Sequence, residues 1–238
     1  FLLSAIPRFF LGEAYSLHVD ADEFLLLPPK MQSMPRLIHD LSEGGTGSVV
    51  SSLVDFYPEN YTDLLSQEHP STGCALFSAY PWFDARPAVE LRRDGRPAPV
   101  RASKLRNEVV AAGLSLERSL HKKILERLRN RARPTRLSYK TPVVYHSSEN
   151  YYVNEHECAL LGSTSKILTL AHFVFTSNSV VKAHSILSAP GRRGRKRKYE
   201  IFAKTIEVGI SERRSLCTRD SVRFSCPQQL VDAGLMKW

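Results

Sequence analysis

The residues best suited to chemistry lie in an acidic turn near the start of the chain. Asp20, Asp22 and Glu23 fall within four positions, between two mostly apolar runs of the stretch AYSLHVDADEFLLLP at 14–28. Carboxylates so close together raise one another's pKa unless a cation shares them. Oxygen ligands suit Mg²⁺ or Mn²⁺, which keep coordination positions for water and substrate phosphates. The turn is therefore a candidate clamp for a diphosphate, and the alternative is an acidic turn exposed to water.

Short strands on either side are predicted to position this turn. YSLHV and FLLL are rich in strand-forming residues, and two prolines at 28–29 end the second run. A short helix is predicted at 35–45, where glycines stop it, and a longer strand at 47–59 carries Asp55 near its end. Strand, helix and strand in alternation predict an α/β fold.

The later segments predict further strands and one irregular stretch. Residues 61–102 are rich in turn-forming residues, so we expect a surface excursion there, with aromatic side chains around Asp84. Strands and turns are predicted at 137–163, and a buried strand or the start of a helix at 165–177. We interpret residues 1–238 as a single domain, because this length suits one sizeable core.

Composition predicts a soluble, cytoplasmic protein. The chain is 42% hydrophobic and 24% charged, and no apolar run approaches the roughly 18 residues of a membrane helix. Its four cysteines form no C-x-x-C pair, so we expect reduced thiols. The first residue is Phe and the chain opens in an apolar segment, from which we expect a piece of a longer polypeptide.

The net charge of +9 is concentrated in two segments. A basic helical excursion is predicted at about 103–133 and a basic loop at 191–199, and the remainder is slightly acidic. One interpretation is a nucleic-acid-binding or polyanion-binding protein that uses both segments without catalysis. Because the basic run of the loop has no interleaved aromatics, we instead expect solvated surfaces and no nucleic acid, with peripheral contact to an anionic membrane or polysaccharide.

Five ordered segments carry a resemblance to a known family. HVDADEFLLLP resembles the D-x-D segment of bacterial glycosyltransferase family 2-like proteins, which are of the GT-A type. Four further segments are similar to later signatures of that family: LVDFYPE at 53–59, LSYKTPVVYHSSENYYVNEHECA at 137–159, LTLAHFVF at 168–175 and DSVRFSCPQQLVDAGLM at 220–236. Val174 stands where the family has Lys. Together the segments span most of residues 14–236.

The resemblance implies an enzyme that moves a sugar from a nucleotide-diphosphate sugar to a hydroxyl of a glycan or lipid acceptor. Its fold would be a GT-A-like mixed sheet with flanking helices, N-terminally truncated, because the nucleoside-binding part would precede Asp20. Asp20 and Asp22 would hold Mn²⁺ or Mg²⁺ against the donor diphosphate. His156 would complete the metal shell or touch the diphosphate.

Other residues receive roles with an alternative attached. Glu23 would order the turn or contact the donor, and Lys140 would contact phosphate or be a solvated lysine. His172 would bind metal or be a hydrogen-bonded core histidine. Inversion at the sugar carbon would need a carboxylate base to take the acceptor's proton. Asp84 is the first candidate because aromatics beside it can stack on sugars, and Asp55 is the second. An ordinary turn or strand-end Asp is the alternative for both.

A second enzyme class also uses Asp-x-Asp after a strand. Phosphatases and phosphotransferases of the haloacid-dehalogenase type place Thr or Val soon after the second Asp, where this chain has Glu23 and Phe24. The sequence therefore favours the glycosyltransferase interpretation.

Overall fold

A computed structural model describes most of the chain. The described residues are 12–66, 73–87, 89–91, 97–99, 139–154, 156–160, 165–190 and 193–238. The basic excursion predicted at about 103–133 lies outside them. The strands are β1 Tyr15–Leu17, β2 Glu23–Leu26, β3 Ser48–Tyr57, β4 Trp82–Asp84, β5 Val89–Leu91, β6 Pro97–Pro99, β7 Tyr139–Tyr145, β8 Ile167–His172 and β9 Ser221–Arg223. The helices are α1 Met34–Glu43, α2 Asp63–Ser66, α3 Gly73–Ala79, α4 Ser177–Ser188, α5 Arg193–Ser211 and α6 Gln228–Asp232.

Seven of the strands form one mixed, curled sheet, which confirms the predicted α/β class. Strand β3 is its centre: it pairs antiparallel with β7 and parallel with β8, and its last two residues pair antiparallel with β4. Strands β1, β2 and β9 add to β7, β8 and β4, respectively. Strands β5 and β6 pair separately.

The sequence of β3 explains its central place. Of its ten residues, SVVSSLVDFY, all except Leu53 are buried. A run without polar alternation is typical of a strand that is covered on both faces. On one face, Val54 and Phe56 pack in an aromatic cluster with residues of α3 and α6. On the other face, Tyr57 packs against α4 and α5.

Helix α1 and strands β7 and β8 agree with the predicted positions. Ser33 caps α1 with its hydroxyl, and Gly45 adopts φ 59° just after the helix, a conformation that glycine tolerates. The described part of residues 61–102 differs from the predicted surface excursion, because Tyr80 and Phe83 are fully buried. The short strand β4 places Phe83 in the core, and Tyr80, just before this strand, is buried in the same cluster.

The basic segment at 191–199 also differs from the prediction, because α5 begins at Arg193 and most of the segment is helical. The helix is stabilised by an apolar face further along, where Phe202, Ile206 and Ile210 pack against Tyr61 and its neighbours. Lys196 donates a hydrogen bond of 2.9 Å to the carbonyl of Leu187, which ties α5 to the end of α4. Within the described ranges, no helix is both long enough and apolar enough to cross a membrane.

Gly209→Ala is expected to destabilise the fold by about 1–3 kcal/mol through overpacking. Alanine would normally favour a helix over glycine by about 1 kcal/mol, but here a Cβ would overlap the ring of the buried Tyr61. Urea unfolding would measure the loss. Gly73→Ala is the matched control, since its Cβ would lie 3.5 Å from Phe24, an ordinary contact. A Gly209→Ala variant as stable as the wild type would contradict this packing.

Candidate functional site

The acidic turn connects two strands that lie on opposite sides of the central strand β3. Strand β1, before it, pairs with β7, whereas β2, after it, pairs with β8 on the far side of β3. Both ends of the crossing are held by backbone hydrogen bonds. The amide of His18 donates to the carbonyl of Pro142 at 2.8 Å, and the amide of Phe173 donates to the carbonyl of Asp22 at 2.9 Å. The turn is thus fixed relative to β7 and β8.

A buried lysine holds the acidic turn from within the fold. Lys140, on β7, is fully buried, and its Nζ donates to Oε2 of the buried Glu23 at 2.8 Å. The same Nζ lies 3.1 Å from Oδ2 of Asp20. The alternative of a solvated Lys140 is therefore wrong. Strand β7 is internal to the sheet, and the crossing turn places carboxylates within reach of the side chain.

Glu23 stabilises the acidic turn by accepting hydrogen bonds from two of its neighbours. Its Oε2 accepts the backbone N–H of Asp20 at 2.8 Å as well as the lysine. Burial would raise the pKa of Asp20, but the hydrogen bond and charge of Lys140, aided by His18 and His156, hold it below its usual value. Asp20 is consequently ionised at neutral pH.

A second group joins three neighbouring strands at their ends. In the sheet register, Glu23 of β2 faces His172 of β8, and His172 faces Asp55 of β3. The Nδ1 of His172 lies 2.7 Å from Oδ1 of Asp55, whose side chain is 1% exposed. If Nδ1–H donates to this buried carboxylate, the lone pair of the ring is on Nε2. Nε2 lies 3.6 Å from Oδ2 of Asp22.

Two carboxylates of the turn remain open to solvent. The side chains of Asp20 and Asp22 are 55% and 50% exposed. His156 is near enough for its charge to lower the pKa of Asp20, and its backbone carbonyl accepts the N–H of Thr141 at 2.9 Å. The described part of the chain contains no group of three or more His, Cys, Asp and Glu side chains already arranged around a metal position. Asp20, Asp22 and His156 stay a predicted ligand set.

Asp84 belongs to a different hydrogen-bonded group, on β4. Tyr57 donates its hydroxyl to Oδ1 of Asp84 at 2.6 Å, and the Tyr57 oxygen lies 2.8 Å from the hydroxyl of Ser221. Burial, together with the adjacent Asp84 carboxylate, raises the pKa of Tyr57 far above its usual range. The tyrosine therefore remains a hydrogen-bond donor, and Asp84 is held in place on the half-buried surface of β4.

The sequence analysis named the ionisable residues of these groups but not Tyr57 or Ser221. It predicted neither the contacts of Lys140 nor the contact between His172 and Asp55. Asp55 was known as a strand-end aspartate and His172 as a histidine in an apolar run. The sequence did not show that the two strands carrying these residues would be parallel neighbours. The carboxyl ends of parallel neighbours meet at the same edge of a sheet, which brings Asp55 and His172 together. The structure thus defines a mixed α/β sheet with an acidic cluster at the carboxyl ends of β3 and β8. Comparison with protein-family models, curated proteins and solved structures finds no match to this chain.

Proposed function

We propose that this chain is part of a metal-dependent glycosyltransferase with a GT-A-like sheet, which moves a sugar from a nucleotide-diphosphate sugar to a hydroxyl of a glycan or lipid. The observation that carries the proposal is the pair of half-exposed carboxylates on one turn, Asp20 and Asp22, beside the carboxyl ends of parallel strands β3 and β8. Open α/β sheets bind their ligands at that edge. The five family-like segments support the same activity.

The charge of the cluster favours a divalent cation. It contains four carboxylates and one lysine: Asp20, Asp22, Glu23, Asp55 and Lys140. The lysine offsets one carboxylate, so a negative excess remains at the exposed side of the turn. A bound cation lowers the repulsion between such carboxylates.

The donor atoms of Asp22, in the turn, and of His172, on β8, support Mn²⁺ as the cation. Asp22 Oδ2 and His172 Nε2 lie 3.6 Å apart, close to the spacing of two ligands that share one cation, and Mn²⁺ accepts both oxygen and imidazole nitrogen. Asp55 would orient the imidazole from behind, as carboxylates do for metal-binding histidines. We therefore assign Asp22 and His172 as ligands, with Asp20 and the predicted His156 beside them. A metal there would stabilise the negative charge of the departing nucleoside diphosphate.

The two candidate bases differ in access. Asp55 is buried and already accepts a hydrogen bond from His172, so an acceptor hydroxyl has no direct path to its oxygens. Asp84 is only half-buried, and Tyr57 donates a hydrogen bond to it. We propose Asp84 as the residue that takes the acceptor's proton, because a general base must reach that proton directly or through one water.

Calorimetric titration with Mn²⁺, with and without uridine diphosphate, tests the proposed function. The wild type is expected to bind the cation saturably, and more tightly when the diphosphate is present. The Asp20→Asn/Asp22→Asn variant keeps the volume of the turn and removes its charge, so it is expected to lose this binding. Asp40→Asn, which neutralises a carboxylate on α1, is the matched control and should bind like the wild type. Equal binding by all three chains, or none by the wild type, would contradict the proposal.

A further inference from the structure

An open cleft of about 300 Å³ lies just beyond the end of β3. Its walls come from the segment after β3, from the end of α3 and from the paired strands β4 and β9. The lining residues include Pro58, Glu59, Asp63, Ser78, Trp82 and Arg223. This volume is at the low end of the range for small-molecule sites, which suits a small ligand such as one or two sugar rings better than a large one.

The aromatic wall of the cleft is rigid. Trp82 is held in the sheet between Tyr57 of β3 and Arg223 of β9. Its ring also packs against the buried cluster that joins Tyr57 to α4 and α5. The indole is therefore fixed before any ligand arrives, and a flat apolar ring of this kind can stack on the C–H face of a sugar at little entropic cost.

Polar groups of both kinds surround the indole. Arg223 supplies guanidinium donors, and its own carbonyl is held by Gln229 at 3.0 Å. Glu59 supplies carboxylate acceptors, and its backbone carbonyl accepts the N–H of Leu216 at 2.8 Å. Asp63 uses Oδ2 to accept the N–H of Asn60 at 3.0 Å, which leaves its second oxygen as an acceptor. The backbone positions of these side chains are thus fixed.

The charged groups and the indole of the cleft together indicate the class of ligand that it binds. Two carboxylates against one guanidinium disfavour a phosphate or another anion. The guanidinium offsets one of the two carboxylates, so the cleft has one excess negative charge against three at the acidic turn and attracts a cation less strongly. The charged lining disfavours a wholly apolar ligand. A neutral polyhydroxylated molecule satisfies all three, because each hydroxyl both donates and accepts, and its ring has an apolar face for Trp82. We propose that the cleft binds a neutral sugar unit.

The position of the cleft gives this sugar a role that rests on the proposed function. Pro58, at the cleft, follows Asp55 by three residues along β3, which is roughly 10 Å of extended strand. Asp84, the proposed base, lies on the same strand as Trp82 and next to Ser221 of β9. The sugar in the cleft is then the terminal unit of the acceptor glycan, bound against the strand that carries the proposed base.

Tryptophan fluorescence tests the cleft directly. The sequence has two tryptophans, so Trp238→Phe leaves Trp82 as the sole reporter. Titration of this variant with methyl glycosides of glucose, galactose, mannose and N-acetylglucosamine, and with methyl β-lactoside, is expected to give a saturable emission change with at least one of them. Adding Arg223→Met should weaken that binding about tenfold or more, because a charged hydrogen bond is lost. Adding Arg36→Met, an exposed arginine on α1, should leave it unchanged.

Two outcomes would overturn the inference: no emission change with any of these glycosides, or the same change in the Arg223→Met chain. Failure of the proposed function is recognised separately, by Mn²⁺ calorimetry on the same Trp238→Phe chain. Glycoside binding without Mn²⁺ binding would keep the sugar site and reject the glycosyltransferase. Mn²⁺ and diphosphate binding without glycoside binding would reject the sugar site and keep the glycosyltransferase proposal.

Discussion

The Lys140→Met variant is expected to lose about 3–5 kcal/mol of unfolding free energy. The lysine is fully buried, and it is the ammonium partner of the buried Glu23 carboxylate. Methionine fills a similar volume but leaves that carboxylate without its cation, and an uncompensated buried charge is costly. Urea denaturation followed by circular dichroism would measure the change in the midpoint.

A second variant separates the buried charge from simple packing. Glu23→Gln keeps an oxygen for the N–H of Asp20 and removes the charge, so the Lys140→Met/Glu23→Gln chain is expected to recover about 1–3 kcal/mol of the loss. Lys166→Met is the matched control, since Lys166 pairs with Asp40 at the surface. It should cost about 1 kcal/mol or less. If Lys140→Met costs no more than Lys166→Met, the buried ion pair does not stabilise the turn.

The Asp55→Asn variant is expected to weaken Mn²⁺ binding about 10–100-fold, the usual effect of removing the carboxylate behind a metal-binding histidine. Asparagine has the same shape, but its amide can donate to Nδ1 of His172. The proton would then move to Nε2, the nitrogen that faces Asp22, and that nitrogen could no longer bind a cation. Calorimetry with Mn²⁺ would report the affinity.

The tautomer itself gives an independent check on this variant. Nitrogen-15 shifts of labelled histidine should show Nδ1–H for His172 in the wild type and Nε2–H in Asp55→Asn. Asp232→Asn, on the exposed surface of α6, should change neither the shifts nor the affinity. Unchanged Mn²⁺ affinity in a folded Asp55→Asn chain would remove His172 from the metal site.

Local patterns predicted five of the seven strands of the sheet, but not β4, β9 or the pairing. The run SVVSSLVDFY, ended by Pro58, indicated β3, and the glycines after α1 marked the end of that helix. No local feature showed that β1 and β2 would pair with different partners on opposite sides of β3. That choice depends on residues more than a hundred positions away, and it is what makes the acidic turn a crossing.

Contacts between residues that are distant in sequence were also what the sequence did not predict at the site. Lys140 is surrounded in sequence by tyrosine, threonine and proline, which gave no sign of a buried carboxylate partner 117 positions earlier. For Glu23 the resemblance implied ordering of the turn or contact with the donor, and the structure shows its carboxylate accepting the backbone N–H of Asp20, three residues earlier. Contacts within one turn can be inferred from spacing, whereas contacts between strands need the register.

The order of strands along the chain has a consequence for the protein while it is being made. Asp55 and His172, which join at the site, are 117 residues apart, so at about 5–20 residues per second the ribosome needs roughly 6–23 s to make one after the other. Over most of that interval β3 lacks both β7 and β8, and after residue 145 has been made it still lacks β8. A ten-residue strand with six apolar side chains and free edges is prone to associate with other chains. We therefore expect nascent β3 to be a binding site for chaperones until β8 emerges.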